Sequence, residues 1–362
     1  MKRRYFLKSG ATAGVMAIAG AKAGGLVGAA GAPVGAGGMP QRRPQPLKAR
    51  RLQAGDTVGL VAPATAIFED VTVDIARESL EGLGLKVKIG AHLRDRHGYL
   101  AGDDQARADD INGFFADKSI AGVIPIRGGW GSARVLPHLD FDTIRRNPKV
   151  LMGYSDITAL HNAIQAKTGL ITFHSPVGTG RWDAWSVDWV KRVLFDGEAV
   201  TMSNPKTLSD RNALTQVENR TRTITPGKAR GRMMGGNLTV LTAILGSAYV
   251  PDYTDAILFL EDVQENLYRI DRMLTSLKLA GILDKARGVV FGTCSECGPG
   301  NDNYGALTLE EILADHIKTL GVPAWQGAMI GHDQPQWTVP FGLEVEIDAA
   351  AATVTMTEPA VV

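Results

Sequence analysis

From Asp56 to about Pro176, short apolar runs alternate with stretches whose apolar positions recur three or four apart. Thr57–Ala62 reads as a strand that ends in Pro63-Ala64-Thr65, and a helix follows through Ala76 to Leu83. Leu85–Ile89 alternates as a strand, and Arg107 to Phe115 has the spacing of a helix. Gly122–Ile126 reads as a buried strand that runs into Arg127-Gly128-Gly129-Trp130-Gly131. After another helix, Lys149–Met152 is a strand, and Ile157, Leu160, His161 and Ile164 mark a helix. Alternating strand and helix units specify a mostly parallel sheet covered on both faces. Ligands of such sheets bind beyond the carboxyl ends of the strands, where Pro63, Gly128-Gly129 and Ser155 all fall.

The second half has a different rhythm. Residues 181–228 are polar, with Trp182, Trp185 and Trp189 among them, and form the expected interdomain connection. Residues 229–362 read as a C-terminal β/α domain: a glycine pair in Gly235-Gly236-Asn237-Leu238, a helix from Thr239, and the apolar strand Ala256–Leu260 ending in Glu261-Asp262. A helix over Leu267–Leu279, a strand over Gly288–Gly292 and closing strands over Gly342–Ile347 and Ala352–Met356 follow. The expected architecture is α/β: an N-terminal, mostly parallel sheet domain over residues 52–180 and a C-terminal β/α domain, with the active site in the crevice between them.

The N-terminus adds an address. Arg3-Arg4 precedes a Gly/Ala-rich stretch that reaches Gly38, and no acidic residue occurs before Asp56. This is the pattern of a twin-arginine export signal over residues 1–38, followed by a Pro/Arg linker over 39–51 expected to be flexible. Glycines and Lys22 interrupt the stretch well short of a membrane span. The expected location is the periplasm, with the twin-arginine export machinery as a partner. The 362 residues carry a formal net charge of +1. Loss of the five cations up to Lys22 leaves 34 basic against 38 acidic residues, which argues against a nucleic-acid partner.

Candidate chemistry starts at Gly153-Tyr154-Ser155-Asp156. A serine on a tight strand-to-helix turn projects its hydroxyl clear of the sheet and beside the free amides of the helix start. It serves either as a nucleophile or as a helix cap. A nucleophile needs a base, and His174 and His332 both follow apolar segments, whereas His316 reads as solvent-facing. Glu261 at the end of an apolar strand is a costly placement unless the carboxylate is paired, though it also reads as a helix cap. Cys294 and Cys297, the only cysteines, read as incidental or disulfide-forming thiols, with a redox pair as the alternative. No H-E-x-x-H or clustered Cys/His ligand set is present, and neither metal nor cofactor is expected.

Six blocks in order resemble the LD-carboxypeptidases, serine peptidases that remove a terminal D-amino acid from peptidoglycan peptides and include the microcin C self-immunity peptidases. They are Arg127-Gly128-Gly129-Trp130-Gly131-Ser132, Asn147-Pro148-Lys149, Gly153 to His161, Gly235 to Leu238, Glu261-Asp262 with Tyr268 to Arg272, and Gly331-His332 before Pro340-Phe341-Gly342. The resemblance implies Ser155 as nucleophile, His332 as general base and Glu261 as the acid that orients it. The amides of Asp156 and of the Gly128-Gly129 turn would then hold the oxyanion. Arg127 and Arg232 are the candidate partners of the substrate's terminal carboxylate, with a structural ion pair as their other reading. The resemblance also implies a peptidoglycan-derived peptide as substrate and brings in a homodimer as an assembly to test. Two departures stand near the crevice: Pro63-Ala64-Thr65, where family members usually carry Pro-Ser, and His174-Ser175-Pro176, where His-Gly-Pro is frequent. Competing readings are detoxification of a peptide-nucleotide antibiotic and a non-catalytic periplasmic binding module, the latter suggested by the three tryptophans.

Overall fold

Two sheets divide the strands. The first half of the chain supplies β1 (Thr57–Val61), α1 (Asp70–Gly82), β2 (Lys86–Ile89), α2 (Asp104–Ala116), β3 (Ile120–Pro125), α3 (Ser132–Val135), α4 (Phe141–Arg146), β4 (Val150–Gly153), α5 (Thr158–Thr168), β5 (Thr172–His174) and α6 (Ala184–Val190). The second half supplies β6 (Thr201–Ser203), β7 (Arg222–Thr225), β8 (Lys228–Asn237), α7 (Leu238–Ala243), β9 (Ala256–Val263), α8 (Leu267–Leu279), β10 (Gly288–Ser295), α9 (Leu309–His316), β11 (Ala324–Ala328), β12 (Val339–Phe341), β13 (Glu344–Asp348) and β14 (Thr353–Met356). These come from a computed structural model that describes residues 43–206, 214–216, 218–300, 307–333 and 335–362. The expected export segment, with Arg3 and Arg4, lies outside the described residues. Among them, no helix is long and apolar enough to cross a membrane.

The first sheet has the order β12-β5-β4-β3-β1-β2. Its five N-terminal strands pair in parallel, and β12 joins antiparallel to β5. The second has the order β6-β14-β13-β8-β9-β10-β11-β7, with β8 to β11 parallel and antiparallel strands on both flanks. The parallel strands read as near-continuous apolar runs, such as Ala256–Leu260, because both faces are covered. One apolar core joins the sheets, from Val58 and Leu60 of the first to Phe259 and Trp325 of the second. Residues 43–362 accordingly form one body.

Helix α5 is the seam. Its sequence reads as a one-sided amphipathic helix, yet every residue from Thr158 to Gln165 is buried. Two of the polar ones, Thr158 and Asn162, are satisfied across the seam. Thr158 Oγ1 accepts the Asn237 N–H of β8 at 2.9 Å, and Asn162 Nδ2 donates to the Gly235 carbonyl at 3.3 Å. Tyr253, also buried, donates its hydroxyl to Asn162 Oδ1. The helix that starts beside Ser155 is thus pinned to the strand that leads into the second half of the site.

Three expectations change. Residues 43–51 are bound to the body: Leu47 exchanges backbone bonds with Gly169 and Ile171, and Arg51 N donates to Val362 O at 2.8 Å. Ala49 in the same segment is fully buried. His316 is buried, with Nε2 at 2.7 Å from Asp271 Oδ1, because α9 packs against α8. Trp189 is buried and Trp182 and Trp185 pack on the same core, so the trio is structural.

Thr158→Val keeps the shape of the seam and removes its acceptor. A buried N–H left without a partner costs about 1–3 kcal/mol. Urea unfolding should show a loss of that size, and unchanged stability would contradict the role given to Thr158.

Candidate active site

The carboxyl ends of the parallel strands in both sheets open on one cleft of about 640 Å³. Its walls include Arg127, Gly128, Gly129, Tyr154 and Ser155 from the first sheet side, and Asn237, Asp262, Glu265 and His332 from the second.

Ser155 directly follows the extended Tyr154 after β4 and opens a short 3-10 turn that leads into α5. Its φ of +64° lies in the left-handed region, where a non-glycine residue is strained. Surrounding bonds hold the turn. Buried His161 donates from Nε2 to the Gly153 carbonyl at 2.8 Å and accepts at Nδ1 from Thr172 Oγ1 at 2.9 Å. Burial pushes His161 down to about 4, so it stays neutral as a clamp.

An imidazole reaches Ser155 from the side of the second sheet. His332 Nε2 lies 3.0 Å from Ser155 Oγ, and Nδ1 lies 2.9 Å from Glu261 Oε2. A carboxylate can only accept, so Nδ1 carries the proton and Nε2 is free to accept from the serine hydroxyl. Glu261 has no exposure to water, and its other oxygen, Oε1, has no hydrogen-bond partner among the described residues. A Cβ at Gly331 would stand 2.3 Å from Glu261 Oε2, so glycine is what lets the carboxylate pass beneath the histidine. Burial pulls the His332 imidazole down, but the hydrogen bond and charge of Glu261 outweigh it and the net shift is upward. The Tyr154 ring closes one side, edge-on at 5.0 Å between centroids.

Across the cleft, an added Cβ at Gly128 would lie 3.2 Å from Ser155 Oγ and 3.3 Å from Asp156 N. That space is open only because residue 128 is glycine. Gly129, at φ +115°, completes the turn, and Thr65 Oγ1 donates to the Gly128 carbonyl at 2.9 Å. In a trans peptide the Gly129 N–H points opposite that carbonyl, away from Thr65. Thr65, at the end of the departing stretch Pro63-Ala64-Thr65, is therefore the turn's clamp. The Asp156 carboxylate is buried and turned away, accepting from Ser132 N at 2.8 Å, which leaves the Asp156 amide as the group facing the serine.

The two arginines part company. Arg127 is exposed on the cleft wall. Arg232 does not line the cleft. It lies five residues before Asn237 on β8, about 16 Å along the strand, and donates to the Asp252 carbonyl at 2.6 Å. Its role is structural, because β8 runs toward the cleft and Arg232 stands midway along the strand, half its length short of the end that reaches the cleft.

Residue patterns alone did not single out Asp262 or Thr239. Asp262 accepts from Asn237 Nδ2 at 3.1 Å and from Thr239 N and Oγ1 at 2.9 Å each. Burial and the neighbouring charge of Glu261 raise its carboxyl to about 6. The signal was an acidic pair, Glu261-Asp262, closing an apolar strand, of which only the first member was weighed.

Only neutral His332 can take the serine proton, so kcat/KM should fall as pH drops through its pKa, with a midpoint above the ordinary 6.5. Glu261→Gln removes the largest of the groups that raise His332, leaving Asp262, Asp333 and the burial that lowers it. The midpoint should move down, with a rate loss of about 10³–10⁴ from the disturbed tautomer. A pH profile with an unmoved midpoint would contradict the coupling.

Family models for the LD-carboxypeptidase N-terminal domain and C-terminal domain match residues 58–175 and 230–347. A probable murein peptide carboxypeptidase of Bacillus subtilis is 39% identical over 84% of this chain and 93% of its own length. A solved structure of the microcin C7 self-immunity protein MccF, in its wild-type apo state, superposes with a TM-score of 0.78 at 28% identity, covering 88% of this chain and 100% of that one. A muramoyltetrapeptide carboxypeptidase from Oxalobacter formigenes does so with a TM-score of 0.70 at 25% identity, covering 84% and 99%. The chain belongs to the LD-carboxypeptidase family and is a serine carboxypeptidase.

Proposed function

We propose that this enzyme hydrolyses the L,D-peptide bond before a C-terminal D-alanine of peptidoglycan tetrapeptides, with Ser155 as nucleophile, His332 as general base and Glu261 as its orienting acid. The observation that carries the reading is the continuous relay Ser155–His332–Glu261, with bonds of 3.0 and 2.9 Å across the two sheets. His332 takes the Ser155 proton as the hydroxyl oxygen attacks the scissile carbonyl, and Glu261 offsets the charge gained by the imidazole. The amides of Asp156 and Gly129 flank the space where the oxyanion develops. His332 then returns its proton to the departing D-alanine amine, and water releases the acyl group by the reverse relay. The murein-peptide names of the relatives support the substrate class.

Arg127 is the cation offered to the terminal carboxylate, which would make the enzyme an exopeptidase. Export by the twin-arginine route belongs to the same reading and rests on Arg3-Arg4 and the acid-free run before Asp56. It would direct the enzyme to periplasmic muropeptides. A second reading, cleavage of a peptide-nucleotide antibiotic, is supported by the higher TM-score with MccF. Export weighs against it, because such toxins act in the cytoplasm.

Mass analysis of a stem tetrapeptide ending in D-alanine should show release of the terminal residue. Ser155→Ala should lose most turnover, by about 10⁴-fold or more, while remaining folded. Amidating the C-terminus should cost about 1 kcal/mol in kcat/KM, the upper end for a charged pair made by an exposed side chain such as Arg127. Near-normal turnover by folded Ser155→Ala would overturn the mechanism, and equal cleavage of acid and amide would overturn the role of Arg127.

A further inference from the structure

The C-x-x-C pair stands directly behind the cleft wall. Cys294 is in β10, in register with Asp262 of β9, and both thiols are partly exposed. The chain turns between them: Cys297 N donates to the Cys294 carbonyl at 3.2 Å. An i to i+3 bond of this kind keeps the two Cα atoms within about 7 Å, close to the span a disulfide bridges. Glu296 inside the turn has φ +55°, and Gln264 opposite it has φ +55°, so both sides hold non-glycine residues in the left-handed region.

The turn and the wall are one hydrogen-bonded unit. Gln264 N donates to Ser295 O at 2.8 Å, Gln264 Nε2 to Glu296 Oε2 at 2.6 Å, and Gly298 N to Glu265 O at 3.2 Å. Gln264 and Glu265 both line the cleft. The two sulfurs are also unequal. The neighbouring Cys294 sulfur and the Glu265 amide hold Cys297 below the ordinary thiol range, while Cys297 and burial raise Cys294.

We propose that Cys294 and Cys297 are a dithiol site that reacts with small-molecule disulfides, closing to an intramolecular disulfide that resets the cleft wall at Gln264 and Glu265. The Cys297 thiolate attacks one sulfur of the small disulfide, forming a mixed disulfide and expelling one thiolate. Cys294 then loses its proton, attacks Cys297 Sγ and expels the second thiolate, which takes that proton. Two protein thiols are oxidised and one small disulfide is reduced to two thiols. Closure brings the sulfurs to about 2.05 Å and draws in the turn whose backbone and Glu296 are bonded to Gln264 and Glu265. The wall then shifts without any bond of the Ser155–His332–Glu261 relay being broken.

Glutathione disulfide is the probe, read by intact mass after alkylation of free thiols. Wild type should become lighter by two hydrogens, carry no glutathione and resist alkylation. Cys294→Ser should accumulate one glutathione at Cys297, and Cys297→Ser should remain unmodified. Equal adducts on both variants, or wild-type thiols still open to alkylation under conditions that oxidise a reference dithiol, would overturn the site.

The coupling to the cleft is read in peptide turnover and rests on the carboxypeptidase reading, whereas the thiol readout does not. Oxidation should raise KM by about threefold or more, the scale of coupling through a packed segment, with kcat nearly unchanged. A reductant should reverse the effect, and Cys297→Ser, which stays unmodified, should not show it. An unchanged KM in fully oxidised protein would overturn the coupling. No turnover in either redox state would count against the substrate reading, and the mass readout would still decide the dithiol site.

Discussion

A carboxylate with no access to water is stable only when something compensates its charge, and Glu261 meets that condition through one partner, His332. The residues are 71 positions apart, and His332 stands 177 positions from the serine it also contacts. The pairing therefore ties the end of β9 to the segment after β11 and both to the turn after β4. Much of the local geometry serves it. Gly331 leaves room for the carboxylate, Tyr154 packs edge-on against the imidazole, and the carboxyl ends of parallel strands in both sheets are brought to one cleft.

The same pairing links packing to chemistry. Glu261 raises the affinity of His332 for a proton against the opposing effect of burial, which strengthens the imidazole as an acceptor for the proton of the serine hydroxyl beside it. The strain at Ser155 is held by neighbours that do not react: His161 on the Gly153 carbonyl and Thr158 against β8. Thr65 does for the Gly128-Gly129 turn what His161 does for the serine turn. Each clamp fixes a carbonyl or amide beside the reacting space, so that the dipoles are aligned before substrate arrives.

What the sequence made legible follows from the range of each signal. The strand–turn–helix pattern around Ser155 is local, and so is the apolar strand ending in Glu261, so both were readable as candidate sites. His332 was not readable in that way. It lies four residues beyond β11 in an irregular segment, and no local pattern separates it from His174. Only the ordered blocks of the family resemblance singled it out. Arg127 and Arg232 look alike in sequence because each precedes glycines, but one follows a strand into the cleft and the other sits midway along a long strand. The all-round burial of α5 and the docking of residues 43–51 against the chain's last residue are non-local, and a window of sequence holds no trace of the partner.

The central claim is that Ser155 forms a covalent bond to the acyl part of a peptide during turnover. Acid quenching of wild-type enzyme with a stem tetrapeptide, at times shorter than one turnover, followed by peptide mapping, tests it most directly. The account predicts a mass gain equal to the acyl tripeptide on the fragment that carries Ser155, absent from Ser155→Ala. Product release with no acylation of Ser155 at any quench time, or acylation of another residue, would contradict it.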